Sequence, residues 1–167
     1  MNKPKRYRQW RVSQSVVDAR DISMRLMREF GLGEWYFSFN GSKRMLGVCF
    51  FEQHLISLSV HFCELNPLSV IEDTMRHEIA HALVGPGHGH DSVWKKKSLE
   101  VGANPERCCS DCIAPTGAWS ARCPNCQKCY QKYRKPKRMT GWYCPKCGTV
   151  KGELAWVEVT NPVDECW

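Results

Sequence analysis

Two short knuckles, Cys123-Pro124-Asn125-Cys126 and Cys144-Pro145-Lys146-Cys147, stand 17 residues apart. No other feature of the chain restricts its folding so tightly. Each knuckle delivers two thiolates from one tight turn, and two such turns at this interval read as a structural four-cysteine zinc site closed by a returning hairpin. Gly148 suits the turn after the second knuckle; Gln127 follows the first, where a glycine would fit more easily. The segments "AWSARC" and "ELAWVEV" are the expected outer strands. The C-terminal part is therefore expected to be a β zinc ribbon over residues 119–159, with a linker at 106–118 and a tail at 160–167. Of the eleven cysteines, Cys108, Cys109, Cys112 and Cys129 crowd the same region without an assigned role. The N-terminus is basic and no apolar segment follows it, as a secretory signal would require. Reduced, metal-binding thiols and a cytoplasmic setting are the expectation.

Ahead of the cysteines the pattern changes. Val16, Ala19, Ile22, Leu26, Met27 and Phe30 keep helical spacing over residues 13–30, with Ser13 able to cap the start and Gly31 to end it. Three strand-like runs follow, at 34–40, 45–51 and 54–60. In the last, Ile56, Leu58 and Val60 alternate with Ser57 and Ser59, as in a half-buried strand. A second long helix is expected after Asn66 as N-cap and Pro67 as first helical residue, stopped by Gly85-Pro86-Gly87. A shorter helix runs from about Ser92 to Val101, capped by Asp91 and closed by Gly102. This predicts an α+β domain over residues 13–105, with helices packed on a short three-stranded sheet, preceded by a basic tail at 1–12.

The second long helix carries the chemistry. Leu68, Ile71, Met75, Ile79 and Ala82 form one apolar stripe. At roughly 100° per residue, His77 and His81 fall nearly opposite it, which predicts that they are not core residues. At i and i+4 they project side by side, within reach of one Zn²⁺. Glu78 lies beside them, set to act as general base in the His-Glu-x-x-His arrangement of zinc proteases. The third ligand has several candidates. A metzincin spacing requires Gly at 84 and His at 87, and the chain has Val84 and Gly87. Glu100 on the next helix, His88 and His90 remain, the last two in a loop whose glycines let it fold back toward the metal.

Residues from Gly47 to Ala103 resemble the SprT-like, or Spartan, metalloprotease family, a resemblance that covers roughly residues 15–105 and extends into the cysteine region. His77, Glu78, His81 and Ala82 match its His-Glu-x-x-His-Ala motif. The family's third histidine is followed four residues later by Trp or Phe, and His90 with Trp94 stands at that interval; from His88 the same step reaches Ser92. Asp91 departs from the glycine usual after that histidine. The resemblance therefore implies His77, His81 and His90 as ligands of a catalytic zinc, with His88 and then Glu100 as alternatives to His90. It implies a zincin-like fold, and it agrees with a C-terminal zinc ribbon whose ligands are Cys123, Cys126, Cys144 and Cys147. One catalytic and one structural zinc are expected.

Formal net charge is +7 and unevenly distributed. Residues 1–11 hold five bases and no acid, and residues 121–151 hold nine bases and no acid. Basic ends around a balanced centre suit a polyanion. Between the knuckles, Lys132, Arg134, Lys135, Lys137 and Arg138 mix with Tyr130, Tyr133, Trp142 and Tyr143. Bases attract phosphates and exposed aromatics stack on unpaired bases, so nucleic acid is the expected partner, and the family resemblance implies DNA, single-stranded DNA included. The family resemblance extends this to proteolysis of proteins held on or crosslinked to DNA; a monomer is expected, and no apolar run of spanning length points to a membrane partner. Two other classes compete: a nucleic-acid-binding zinc protein without activity, and a zinc peptidase independent of DNA.

Overall fold

A computed structural model describes residues 13–105 and 112–160. The chain divides into two compact units between Ala114 and Pro115. The basic tail 1–12, the segment 106–111 with Cys108 and Cys109, and residues 161–167 lie outside the described residues. No helix among the described residues is long and apolar enough to cross a membrane.

The first unit runs α1 (Gln14–Glu29), β1 (Tyr36–Asn40), β2 (Gly47–Phe50), β3 (Leu55–Ser59), α2 (Val60–Leu65), α3 (Leu68–Val84) and α4 (Ser92–Glu100). It is α+β, with helices packed on a three-stranded sheet of order β1-β3-β2. β1 pairs with β3 in parallel, and β2 pairs with β3 antiparallel, Gly47 opposite Leu58 and Phe50 opposite Leu55. β2 is thus an edge strand. The serine row of the central strand β3 is not solvated, contrary to the half-buried reading. Ser57 and Ser59 are buried. Ser57 Oγ accepts from Ser38 Oγ and from Asn40 Nδ2, while Ser59 Oγ donates to the Ser42 carbonyl. Those bonds satisfy the hydroxyls that burial takes from water.

The end of the third strand-like run is a helix. Ser59 Oγ accepts from Phe62 N and caps α2, which buries Val60, Phe62 and Cys63. Asn66 consequently does not cap α3, which begins at Leu68 with Pro67 as its cap residue. Asn66 closes α2 and reaches across the fold instead. Its Nδ2 donates to the Phe62 and Ile113 carbonyls, and its Oδ1 accepts from Ile113 N. In sequence an asparagine before a proline can close one helix or open the next; the long-range bond to Ile113 decides it.

α3 is the centre of the unit. Ile71, Met75 and Ile79 are fully buried with Leu26, Met27, Ile56, Leu58 and Phe62. The ends of the expected stripe are looser: Leu68 is exposed, and Ala82 only half-buried. Gly85 ends the helix at φ +81°, its N–H returning to the His81 carbonyl. Asp91 caps α4, its Oδ1 accepting from Trp94 N at 3.0 Å. Arg76 Nη1 donates to the Val101 carbonyl and Asp73 Oδ1 accepts from Asn104 N, tying the end of α4 back onto α3.

The second unit holds β4 (Trp119–Arg122), β5 (Cys129–Lys132), the one-turn α5 (Gly148–Lys151) and β6 (Val157–Glu158). Its sheet has order β5-β4-β6, all antiparallel. Part of the segment between the knuckles is therefore strand rather than loop. A small core of Ala121, Cys123, Cys144, Leu154 and Trp156 lies beneath.

Candidate metal centres

His77 and His81 stand one helical turn apart with ring centroids 5.0 Å from each other. After α3, Gly85 and Gly87 take positive φ, a conformation cheap only for glycine. The loop returns and delivers His90 between the two helical histidines. His90 Nε2 lies 3.1 Å from His77 Nε2 and 3.3 Å from His81 Nε2. Three nitrogens held about 2.05 Å from a tetrahedral zinc stand roughly 3.3 Å apart, so the spacing fits that ion. His88 does not join the cluster. Its Nδ1 pairs with Asp91 Oδ2 at 2.8 Å. Glu100 is exposed and paired with Lys97; it too lies outside the cluster.

The histidines are half-buried rather than displayed to solvent. The reason is Trp94, which is wholly buried. Its ring centroid lies 4.6 Å from that of His77, 5.1 Å from His81 and 4.5 Å from His90. One indole thus backs all three imidazoles. Burial, then the facing His81 and His90, lowers the His77 pKa to about 4. Burial and His90 lower His81 to about 4, against a hydrogen bond to the His88 main chain. Both rings are neutral near pH 7, the form that ligates a metal.

Glu78 is buried, 7% exposed, on the side of α3 that faces β2. Burial pushes its carboxyl up to about 8. Sequence periodicity put Glu78 beside the histidines; the structure adds that it lies inside the unit. It lines a cleft of about 540 Å³ with the three histidines, walled by Leu46, Gly47 and Val48 and reaching Asp73 and Asn104 at one end. Cys49 also borders the cleft, and burial followed by the Glu78 charge pushes its thiol up to about 12. These cleft residues carry no motif and went unrecognised in the sequence. Only Trp94 had a signal there, its step of four from His90.

In the second unit the thiols of Cys123, Cys126, Cys144 and Cys147 converge within 4.8 Å of one another. Cys126 Sγ and Cys144 Sγ are 3.6 Å apart, close to the roughly 3.8 Å edge of a tetrahedral zinc–sulfur site. The two knuckles are alike: Gln127 N returns to the Cys123 carbonyl, and Gly148 N to that of Cys144. Both residues take positive φ, +59° and +67°. Gln127 therefore adopts the glycine-like conformation, and its Nε2 donates to the Pro124 carbonyl. Tyr130 Oη donates to Cys144 Sγ at 3.1 Å, and Asn125 Nδ2 to Cys147 Sγ at 3.2 Å. The tyrosine bond leads the fall of the Cys144 pKa to about 6. Cys112, by contrast, packs against the core of the first unit, and Cys129 begins β5.

The basic residues of the second unit divide. Lys132 lies in β5 with Nζ 3.5 Å from the Trp142 ring centre and 5.3 Å from that of Trp156. Lys135 Nζ lies 5.4 Å from the Trp119 ring centre. Arg134, Lys135, Lys137 and Arg138 are exposed, as is Tyr143, whereas Trp142 and Tyr130 pack against the ribbon core.

A family model described as the SprT-like family matches residues 19–113, more than half of the chain. No curated protein and no solved structure matches.

Proposed function

Since the chain belongs to the SprT-like family, with the zinc metalloprotease-like domain that membership implies, we propose that it is a zinc-dependent endopeptidase acting on proteins held on DNA. One observation carries the reading: His90 Nε2 lies 3.1 Å from His77 Nε2 and 3.3 Å from His81 Nε2, beside a buried glutamate in an open cleft. Zinc held by His77, His81 and His90 would polarise a scissile carbonyl and acidify water. The charge of a bound dication favours the ionised carboxylate against the effect of burial, and in that form Glu78 takes the proton from the attacking water and passes it to the leaving amine. Trp94 keeps the imidazoles in register, and the His88 main chain hydrogen-bonds His81, fixing its ring. Among the described residues the outer edge of β2 pairs with no strand, and an extended polypeptide can add there as one. The four ribbon cysteines would hold a second zinc, whose part would be structural.

The DNA part rests on charge. Arg134, Lys135, Lys137 and Arg138 are exposed with no acid among residues 121–151, and Tyr143 is available to stack on an unpaired base. Lys132 contributes less, its ammonium already resting on Trp142. Tethering to DNA raises the local concentration of proteins bound nearby, so location rather than peptide sequence selects the substrate.

The test is proteolysis of a basic DNA-binding protein by the purified full chain, with and without single-stranded DNA, with and without chelator, and by Glu78→Gln. Cleavage that needs DNA and metal and disappears in Glu78→Gln while two zincs remain supports the proposal. Equal cleavage without DNA identifies a DNA-independent peptidase. DNA binding with no cleavage under any condition identifies a binding protein whose first zinc is a staple.

A further inference from the structure

Gly47 is the first residue of β2, and it faces α3. A methyl group built on it would lie 2.8 Å from Glu78 Cγ, 2.8 Å from Glu78 Oε1 and 3.1 Å from Glu78 Cδ. Carbon–carbon contacts in packed proteins lie near 3.5–4.0 Å, so the side chain and the methyl cannot share the space. The backbone does not require the glycine. Gly47 does not take a positive φ, and it pairs regularly with Leu58 across the sheet. A glycine inside a strand forfeits packing and entropy, and its common reason is the close approach of another group. Here that group is the glutamate. Two residues on, the side chain of Cys49 is tolerated on the same strand, so the requirement for a bare Cα is local to Gly47.

We propose that Gly47 is a positioning residue for Glu78: its missing side chain is the slot in which the carboxylate lies, between β2 and α3, beside the three histidines. The inference rests on the proteolytic reading given above. Glu78 hangs on a flexible chain, whereas Gly47 is held by the sheet. A methyl at position 47 therefore displaces the carboxylate and leaves the strand in place. A displacement of this kind, on the order of 1 Å, costs about 100-fold in turnover. It falls on kcat, because the carboxylate acts on the reacting water and not on the bound polypeptide.

The test compares the full-length, zinc-loaded parent, Gly47→Ala, Glu78→Ala and the double variant. The readouts are zinc content, Tm, cleavage of the same DNA-binding protein, and the visible spectrum of the cobalt-substituted proteins. Gly47→Ala is expected to hold two metals, to lose on the order of 100-fold in kcat with KM within about twofold, and to shift its cobalt spectrum toward that of Glu78→Ala. Its loss in Tm should vanish when Glu78 is already alanine. Parent-like kcat, an unshifted spectrum, or an equal Tm loss in both backgrounds overturns the proposal. Should Gly47→Ala fail to fold, the double variant must fold, and its failure is equally fatal. If the parent cleaves nothing, the proposed function falls, while the Tm comparison and the cobalt spectrum still decide whether Gly47 sets the position of Glu78.

Discussion

Replacing Trp94 by alanine tests whether one apolar wall organises the histidine cluster. The side chain is fully buried against His77, His81 and His90, with centroid distances of 4.5–5.1 Å. A buried tryptophan removes roughly 150–250 Å² from water, which at about 25 cal/mol per Å² is worth about 4–6 kcal/mol. Large-to-small changes of this kind cost about 3–5 kcal/mol in practice. Domains of this size have only about 5–15 kcal/mol in total, so Trp94→Ala should remove much of the first unit's stability. It should also weaken zinc there by about 10- to 100-fold, the usual cost of losing a group that orients metal ligands. Trp94→Phe sharpens the test. Among the described residues Trp94 Nε1 has no hydrogen-bond partner. Phenylalanine keeps an aromatic face toward the imidazoles and removes that buried donor, a gain of about 1–3 kcal/mol set against the smaller ring. It should therefore lie within about 2 kcal/mol of the parent. The assay is denaturant unfolding followed by the helical circular dichroism signal, with zinc affinity from chelator competition. A Trp94→Ala protein with parental stability and zinc affinity would refute the reasoning, and so would a Trp94→Phe protein as weak as Trp94→Ala.

Two further expectations follow from the same geometry. In metal-free protein the Glu78 carboxyl, raised to about 8 from an ordinary 4.5, carries stability that is present below pH 4.5 and lost as pH rises through 8. His77 and His81, lowered to about 4 from 6.5, carry stability present above 6.5 and lost as pH falls through 4. Stability should thus fall on both sides of a mildly acidic optimum. Glu78→Gln should remove the alkaline limb, by up to about 5 kcal/mol at pH 8; unfolding curves for the two proteins that run parallel from pH 4.5 to 8 would contradict this. In the ribbon, a methyl on Gly152 would meet Gly148 O at 2.7 Å, Cys147 Cβ at 2.9 Å and Cys144 Cβ at 3.0 Å. Gly152→Ala should push the second knuckle aside and leave one tightly held zinc per chain instead of two, the survivor at the histidines. Retention of both against the same chelator would show that the knuckle yields without loss.

Local features of this molecule were legible without its fold. The four-residue step between His77 and His81, the glycines after Val84, the cap at Asp91 and the two Cys-x-x-Cys turns are each settled within a few residues, by helical periodicity, by φ and by side-chain reach. The third histidine was less accessible. His88 and His90 stand in the same glycine-rich loop, and the interval to Trp94 favoured one only through a family resemblance; in space, Asp91 pairs with His88 while His90 turns onto the other two rings. Contacts between distant segments left no local trace at all. Asn66 reads as a helix cap and instead binds Ile113. Ser57 reads as a solvated strand residue and is buried, its hydroxyl accepting from Ser38 and Asn40 of β1. Lys132 reads as a free cation and rests on Trp142. Gly47 carries no signal in the sequence, and only the packing of β2 on α3 gives it a reason. Sequence periodicity determines which residues share a face of one element. What that face meets is decided by the tertiary packing, and there a serine, a lysine or a glycine acquires a partner that its neighbours in sequence do not announce.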